Sequence, residues 1–181
     1  MELIRNLKEV SFLKNLFLAI VGTIVLAISA KAKIPFYPVP MTMQTFVVLL
    51  IGISFGWKLG LFTVGLYLAE GIIGLPVFAG TPEKGLGIVY FLGPTMGYLI
   101  GFLVAAFLTG FFKFGSNYIL NFFKLVVSAS MIYLLGMLWL AKFTGWEKVF
   151  VIGAQPFLLA ELFKILLLTI LIPKVLKFRK F

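Results

Sequence analysis

The chain has 181 residues, 62% of them hydrophobic, with a mean hydropathy of +1.14 and a formal net charge of +10. A soluble domain of this length is about half apolar and still exposes much of its surface, so the excess requires lipid as the solvent. Cysteine, histidine and aspartate are absent, which excludes disulfides, thiolate metal sites and Ser–His or Cys–His nucleophiles; the basic residues punctuate apolar runs instead of forming the continuous basic face that nucleic-acid binding needs.

Six segments approach the roughly 20 apolar residues that a membrane-spanning helix needs. The first runs from about Leu13 to Ala30. No small-residue cleavage site follows it, so it is expected to be a permanent span and not a secretory signal. Ala19, Thr23 and Ala27 recur in it at every fourth position, a smooth stripe on which another helix, in this chain or another, can dock.

The proline-rich stretch Ile34-Pro35-Phe36-Tyr37-Pro38-Val39-Pro40 leads into the second segment, about Thr42 to Phe55. Thr42, Gln44 and Thr45 at its start either cap the helix or face a cavity, and Gln44 is the residue assigned to a pocket. Gly56-Trp57-Lys58 breaks to the third segment, about Leu59 to Ile73; both segments are short for a full span. Glu70, near the outer end, either lines a cavity, pairs with a loop lysine such as Lys84, or faces water at the interface.

A glycine-rich stretch from Gly74 to Pro94 follows. Its glycines let backbone amides approach a ligand closely, and Phe78 and Tyr90 offer apolar or stacking walls. Gly80-Thr81-Pro82-Glu83-Lys84-Gly85 lacks the Gly-Lys-Ser/Thr ending of a P-loop. The fourth segment, about Pro94 to Phe112, places Pro94 in a first turn. It spaces Gly97 and Gly101 for close helix packing. Tyr98 is either a pocket residue or part of an interfacial aromatic belt. Gly115-Ser116-Asn117 precedes the fifth segment, about Ile119 to Leu140. Lys142 to Gly153 reads as a loop before the sixth, about Pro156 to Leu176.

The sixth segment holds Glu161 and Lys164. Ionisable groups at membrane depth are costly and default to a functional reading, and a spacing of three puts both on one helix face. They either neutralise one another or complete a ligand site. A carboxylate accepts hydrogen bonds and an ammonium donates them. Together they complement a small group with N–H donors beside a carbonyl, such as a cyclic urea, and in a dry cavity such bonds are strong.

Lysine and arginine set the orientation. With six spans, one side holds ten: Arg5, Lys8, Lys14, Lys58, Lys113, Lys124, Lys174, Lys177, Arg179 and Lys180. The other holds five: Lys31, Lys33, Lys84, Lys142 and Lys148. Both termini are therefore expected in the cytoplasm. The longer connections, Lys31–Met41, Gly74–Gly93 and Lys142–Gln155, then face outward, as lids over a cavity.

Three ordered blocks, Pro38-Val39-Pro40-x-Thr42-x-Gln44-Thr45-Phe46, Gly74-Leu75-Pro76-Val77-Phe78-Ala79-Gly80 and Gly93-Pro94-Thr95-x-Gly97-Tyr98, resemble the BioY family, as does Pro156-Phe157 followed by an acidic residue and Lys164. BioY proteins are the biotin-binding S components of energy-coupling factor (ECF) transporters, a branch of the ABC transporters. The resemblance implies an all-α, six-helix S-component fold, one transmembrane domain over residues 1–181 and an outward-facing biotin pocket in a prokaryotic inner membrane. It implies that Glu161 and Lys164 hold the ligand, and that the Ala19–Thr23–Ala27 stripe contacts a transmembrane coupling subunit driven by two ATPase subunits. No cofactor or metal is implied. The sequence departs from the family at Glu161, where aspartate is usual, and at Met96, where glycine is usual. Thr42, Gln44, Phe78, Tyr90 and Tyr98 complete the expected pocket, with Lys84, Thr81 or loop amides as donors to the biotin carboxylate. Two other readings remain: an S component for another vitamin, and a solitary carrier coupled to ions through Glu70 or Glu161. So few acid–base groups leave little for an enzyme to work with.

Overall fold

The structure, a computed structural model, describes residues 2–34 and 38–178, with the side chains of 12–33 and 38–177. Pro35, Phe36 and Tyr37 of the first loop, and Arg179 and Lys180 of the basic count, lie outside the described residues, as do the side chains of Arg5 and Lys8.

Helix α1 (Glu2–Lys31) leads to a two-residue antiparallel ladder of β1 (Lys33–Ile34) with β2 (Met41–Thr42), in which Lys33 pairs with Thr42. The ladder is the one departure from an all-helical chain among the described residues. Helix α2 (Gln44–Ile72), short α3 (Gly87–Phe91), α4 (Met96–Phe111) and α5 (Tyr118–Thr144) follow. The chain then runs through short α6 (Trp146–Gly153) and a single 3-10 turn (Gln155–Phe157) into α7 (Leu158–Phe178). Among the described residues, four stretches are long and apolar enough to cross a membrane: Phe12–Lys31, Gln44–Ile72, Tyr118–Thr144 and Trp146–Lys177. Met96–Phe111 is a shorter apolar helix.

The expected second and third segments both fall within α2, and the break between them is a single residue. Gly56 takes φ 77 and ψ 173, a backbone state that glycine reaches without a Cβ penalty. The kink folds the helix back on itself. The Gln44 side chain meets the Tyr67 hydroxyl at 2.7 Å, although the 23 residues separating them would span about 35 Å of straight helix.

Three other expectations are corrected. The stretch Lys142–Gln155 is not a loop: α5 continues to Thr144, Gly145 turns the chain at φ 78, and α6 begins at once. Pro94 lies before α4, whose N-cap is Thr95. The α1 stripe is internal. Ala19 and Thr23 are buried and Ala27 partly so, because α1 lies against α2, where Gly22 faces Ile51, Phe55 and Thr63. The opposite face of α1, with Phe12, Phe17, Ile24 and Ile28, is the exposed one. Gly97 and Gly101 do serve close packing: a Cβ on either would lie 2.3 Å from the Leu135 carbonyl or 2.6 Å from the Ile132 Cα of α5.

Helix α4 packs between α2 and α5, and α7 closes on the same two helices. The space left where α2, α4, α5 and α7 meet, beneath the loops, is the cavity described next.

Candidate functional site

The charged wall of the cavity is built by α7 and the start of α2. The 3-10 turn at Gln155–Phe157 and the first turns of α7 aim Glu161 and Lys164 inward, and they are only 5% and 9% exposed. The Lys164 ammonium donates to Glu161 Oε1 at 2.6 Å, to the Thr42 carbonyl at 2.6 Å and to the Thr45 hydroxyl at 3.1 Å. The Thr45 hydroxyl donates in turn to Glu161 Oε1 at 2.7 Å. All three ammonium protons therefore have acceptors within the chain. Glu161 Oε2 does not share in this: it is buried and no donor reaches it among the described residues. Tyr133 of α5 lines the same cavity beside the Glu161 carboxylate and is the nearest candidate donor to it, although no hydrogen bond to Oε2 is formed in this arrangement. A buried carboxylate oxygen left unpaired is expensive, so the site is chemically incomplete at this atom.

The cavity has a volume of about 60 Å³. Gln44, Thr45, Tyr133, Glu161 and Lys164 supply its polar lining, and Phe78, Leu99, Phe102, Ile132 and Phe157 much of the rest. The loop between α2 and α3 covers it. Phe78 is fully buried, stacks on Tyr90 at 5.4 Å and meets Tyr67 edge-on at 5.5 Å. The Tyr90 hydroxyl accepts from the Gly80 amide at 3.0 Å. Burial pushes the Tyr90 phenol above its usual value, so it stays neutral at physiological pH.

Two lysines pin this loop from the end of α1 and from β1. Lys31 donates to the carbonyls of Phe78 at 3.0 Å and Thr81 at 2.6 Å. Lys33 donates to the Ala79 carbonyl at 2.9 Å and pairs with Glu83 at 3.7 Å.

The structure thus brings Glu161, Lys164, Gln44, Thr42, Phe78, Tyr90 and Tyr98 to one cavity. Tyr98 is buried and donates to the Gly153 carbonyl at 2.8 Å, which sets it apart from an interfacial belt. Thr42 lines the cavity and its hydroxyl accepts from the Gln44 amide at 3.3 Å, while the N-cap position of α2 is Met43, with no side-chain cap. Lys84 is not among the lining residues; its ammonium lies 3.5 Å from the Pro38 carbonyl. The Thr81 hydroxyl donates within the loop to Phe78 at 2.8 Å. Neither Met96 nor Glu70 lines the cavity.

A family model described as the BioY family matches residues 4–181. The chain belongs to the BioY family. It is 39% identical to the probable biotin transporter BioY of Pyrococcus horikoshii over 157 residues, 87% of this chain and 89% of that protein. It is 34% identical to the biotin transporter BioY of Thermotoga maritima, over 84% of this chain and 90% of the relative. The fold matches a crystal structure of the S-component for biotin from an ECF-type ABC transporter, with a TM-score of 0.79 and 26% identity, covering 92% of this chain and 93% of the other.

Sequence reasoning missed Tyr133, Phe102 and Phe157 as lining residues and undervalued Thr45. A tyrosine inside a long apolar span, needing a partner for its hydroxyl, was the available signal for Tyr133. Nothing marked Lys31 and Lys33 as more than topological charges.

Proposed function

We propose that this chain captures biotin at the outer face of a prokaryotic cell membrane, as the S component of an ECF-type transporter. The observation that carries this reading is Glu161 Oε2, sealed in the cavity wall with no donor, beside an ammonium whose protons are already committed. Oε2 has no donor in this arrangement, and a ureido ring brings N–H groups. The aromatic and aliphatic lining of the remainder suits a thioether ring and an alkyl chain. Relatives named as biotin transporters, and the matched S-component for biotin, support the substrate.

Counting the two arms of α2 separately, together with α1, α4, α5 and α7, gives six crossings with both termini in the cytoplasm. On this count the Lys31, Lys33 and Glu83 cluster faces outward over the cavity. A transmembrane coupling subunit and two ATPase subunits complete the transporter. The buried Ala19–Thr23 stripe leaves the exposed apolar side of α1 among the surfaces open to lipid or that subunit.

At about 60 Å³ the cavity is well below the roughly 300–1,000 Å³ of ordinary ligand pockets. Capture therefore includes an outward movement of the loop between α2 and α3, and its return over the ligand.

The test is equilibrium titration of the purified full chain in detergent. Labelled biotin binds with submicromolar affinity and is displaced by unlabelled biotin, but not by excess thiamine or riboflavin. Displacement by either of the other vitamins moves the chain to another substrate. Uptake into proteoliposomes holding this chain alone, driven by a pH gradient, would favour a solitary carrier.

A further inference from the structure

Tyr67 is fully buried on the second arm of α2 and does not line the cavity. Its hydroxyl lies 2.9 Å from the Val77 carbonyl and 2.7 Å from the side-chain nitrogen of Gln44. A phenol has one proton to donate. The Val77 carbonyl has none, so the Tyr67 proton goes there. The phenol oxygen then only accepts from Gln44, and the part of Gln44 that faces it is the NH2 group. With the phenol proton on the Val77 carbonyl, the NH2 end of the amide faces Tyr67, a choice that heavy-atom positions alone leave open. The Gln44 carbonyl oxygen is turned the other way, with the Thr42 hydroxyl 3.4 Å from it. Both residues line the cavity, and Gln44 is otherwise buried.

We propose that Tyr67 is a positioning residue that holds Gln44 with its carbonyl oxygen presented to the cavity, as an acceptor for a ligand N–H. The inference rests on the biotin reading above and extends it. A ureido ring has two N–H groups, and the wall then offers two acceptors, Glu161 Oε2 and Gln44 Oε1. The Val77 carbonyl belongs to the covering loop and Phe78 packs edge-on against the Tyr67 ring.

The test is a double-mutant cycle on biotin affinity in the full chain, with Tyr67→Phe, Gln44→Leu and the two combined. Tyr67→Phe is expected to weaken binding at least fivefold and Gln44→Leu at least as much. The combined variant is expected to be no weaker than Gln44→Leu alone, because the hydroxyl acts through the amide. A packing role for Tyr67 would give additive losses, which overturns the proposal, as does an unchanged affinity in Tyr67→Phe. A wild type that binds no biotin overturns the reading underneath and this inference with it. Wild-type binding with additive losses overturns only the positioning role. If Tyr67→Phe does not fold, the wild type still decides the matter by NMR. The chain has two glutamines, Gln44 and Gln155, so 15N-glutamine labelling yields two amide pairs. A nuclear Overhauser contact from the Gln44 NH2 protons to the Tyr67 ring is expected, and its absence overturns the proposal.

Discussion

On the charged wall Glu161 and Lys164 meet at 2.6 Å with their side chains 7% and 10% exposed; on the covering loop Lys33 and Glu83 meet at 3.7 Å with 30% and 65% exposed. Both regions use a lysine and a glutamate, and both add threonine and backbone carbonyls. Their energetics differ because of where the water is. At the wall, ions were stripped of hydration, so each polar atom must find a partner or remain as a deficit that a ligand can fill. On the loop, water screens the pair and supplies alternatives, so the ion pair itself contributes little. Among the charged contacts, the lysine–carbonyl bonds from Lys31 and Lys33 tie the loop more firmly than that pair does. On the proposed reading, the wall serves recognition and the loop reversible closure.

The largest effect that breaks this comparison is expected at the wall. Glu161→Ala removes both the acceptor for a ligand N–H and the partner of a buried ammonium. Biotin affinity should fall by at least about 100-fold, equivalent to about 2.7 kcal/mol, in an equilibrium titration of protein that still elutes as a folded species in detergent. Replacing the pair together, Glu161→Met with Lys164→Leu, sharpens the point. Stability is expected to recover to that of the wild type or above, since the lone buried charge is gone, while binding stays lost. A double variant that melts below Glu161→Ala would mean that the pair is there for folding and not for the ligand.

Next in size is the loop. Lys31→Met removes the ammonium that reaches the Phe78 and Thr81 carbonyls but keeps most of the aliphatic stem. The covering loop should open more often, and biotin should dissociate about five- to tenfold faster, in line with the usual worth of a hydrogen bond to a charged group after some loss to solvent. Association should rise too, so the equilibrium constant moves less than the dissociation rate. Stopped-flow exchange of labelled biotin measures both. A pure loss of affinity without faster association would show that Lys31 touches the ligand instead of the loop.

These two regions were not equally legible in the sequence. Glu161 and Lys164 declared themselves, because charges inside an apolar run have few reasons to be there. The α2 kink was equally visible in Gly56-Trp57-Lys58. Phe78 and Tyr90 could be placed as walls from the glycine-rich loop that carries them. Thr45 and Tyr67 were not legible: a threonine in a helix's first turn reads as a cap, and a single tyrosine among apolar residues reads as core. Their importance comes from contacts across 116 and 23 residues of sequence, which no local pattern encodes. Lys31 and Lys33 were counted for topology because charge tallies ignore where a side chain reaches. The stretch after Lys142 was taken for a loop because Gly145 and two charges interrupt it, yet an eight-residue helix fits there. The stripe on α1 lies against α2, and spacing alone gave no means of telling a partner in the same chain from one outside it.

The smallest expected effect tests the claim that the exposed pair contributes little. Glu83 is held below the usual carboxylate range first by its own backbone amide and then by the Lys33 ammonium. A depressed value in the closed loop means that the charged form favours closure. That contribution is complete above the ordinary value of 4.5 and fades as the pH falls through the depressed one. The wild-type rate of biotin release should therefore be flat between about pH 5 and 8 on account of this group. It should rise only below that window, toward the rate of Glu83→Gln. At neutral pH the variant should release biotin less than twofold faster, because Glu83 faces water and Lys33 keeps its bond to the Ala79 carbonyl. A tenfold acceleration in Glu83→Gln would instead give the exposed pair the weight here assigned to Lys31. The line between a recognition wall and a solvent-screened latch would then have to be redrawn.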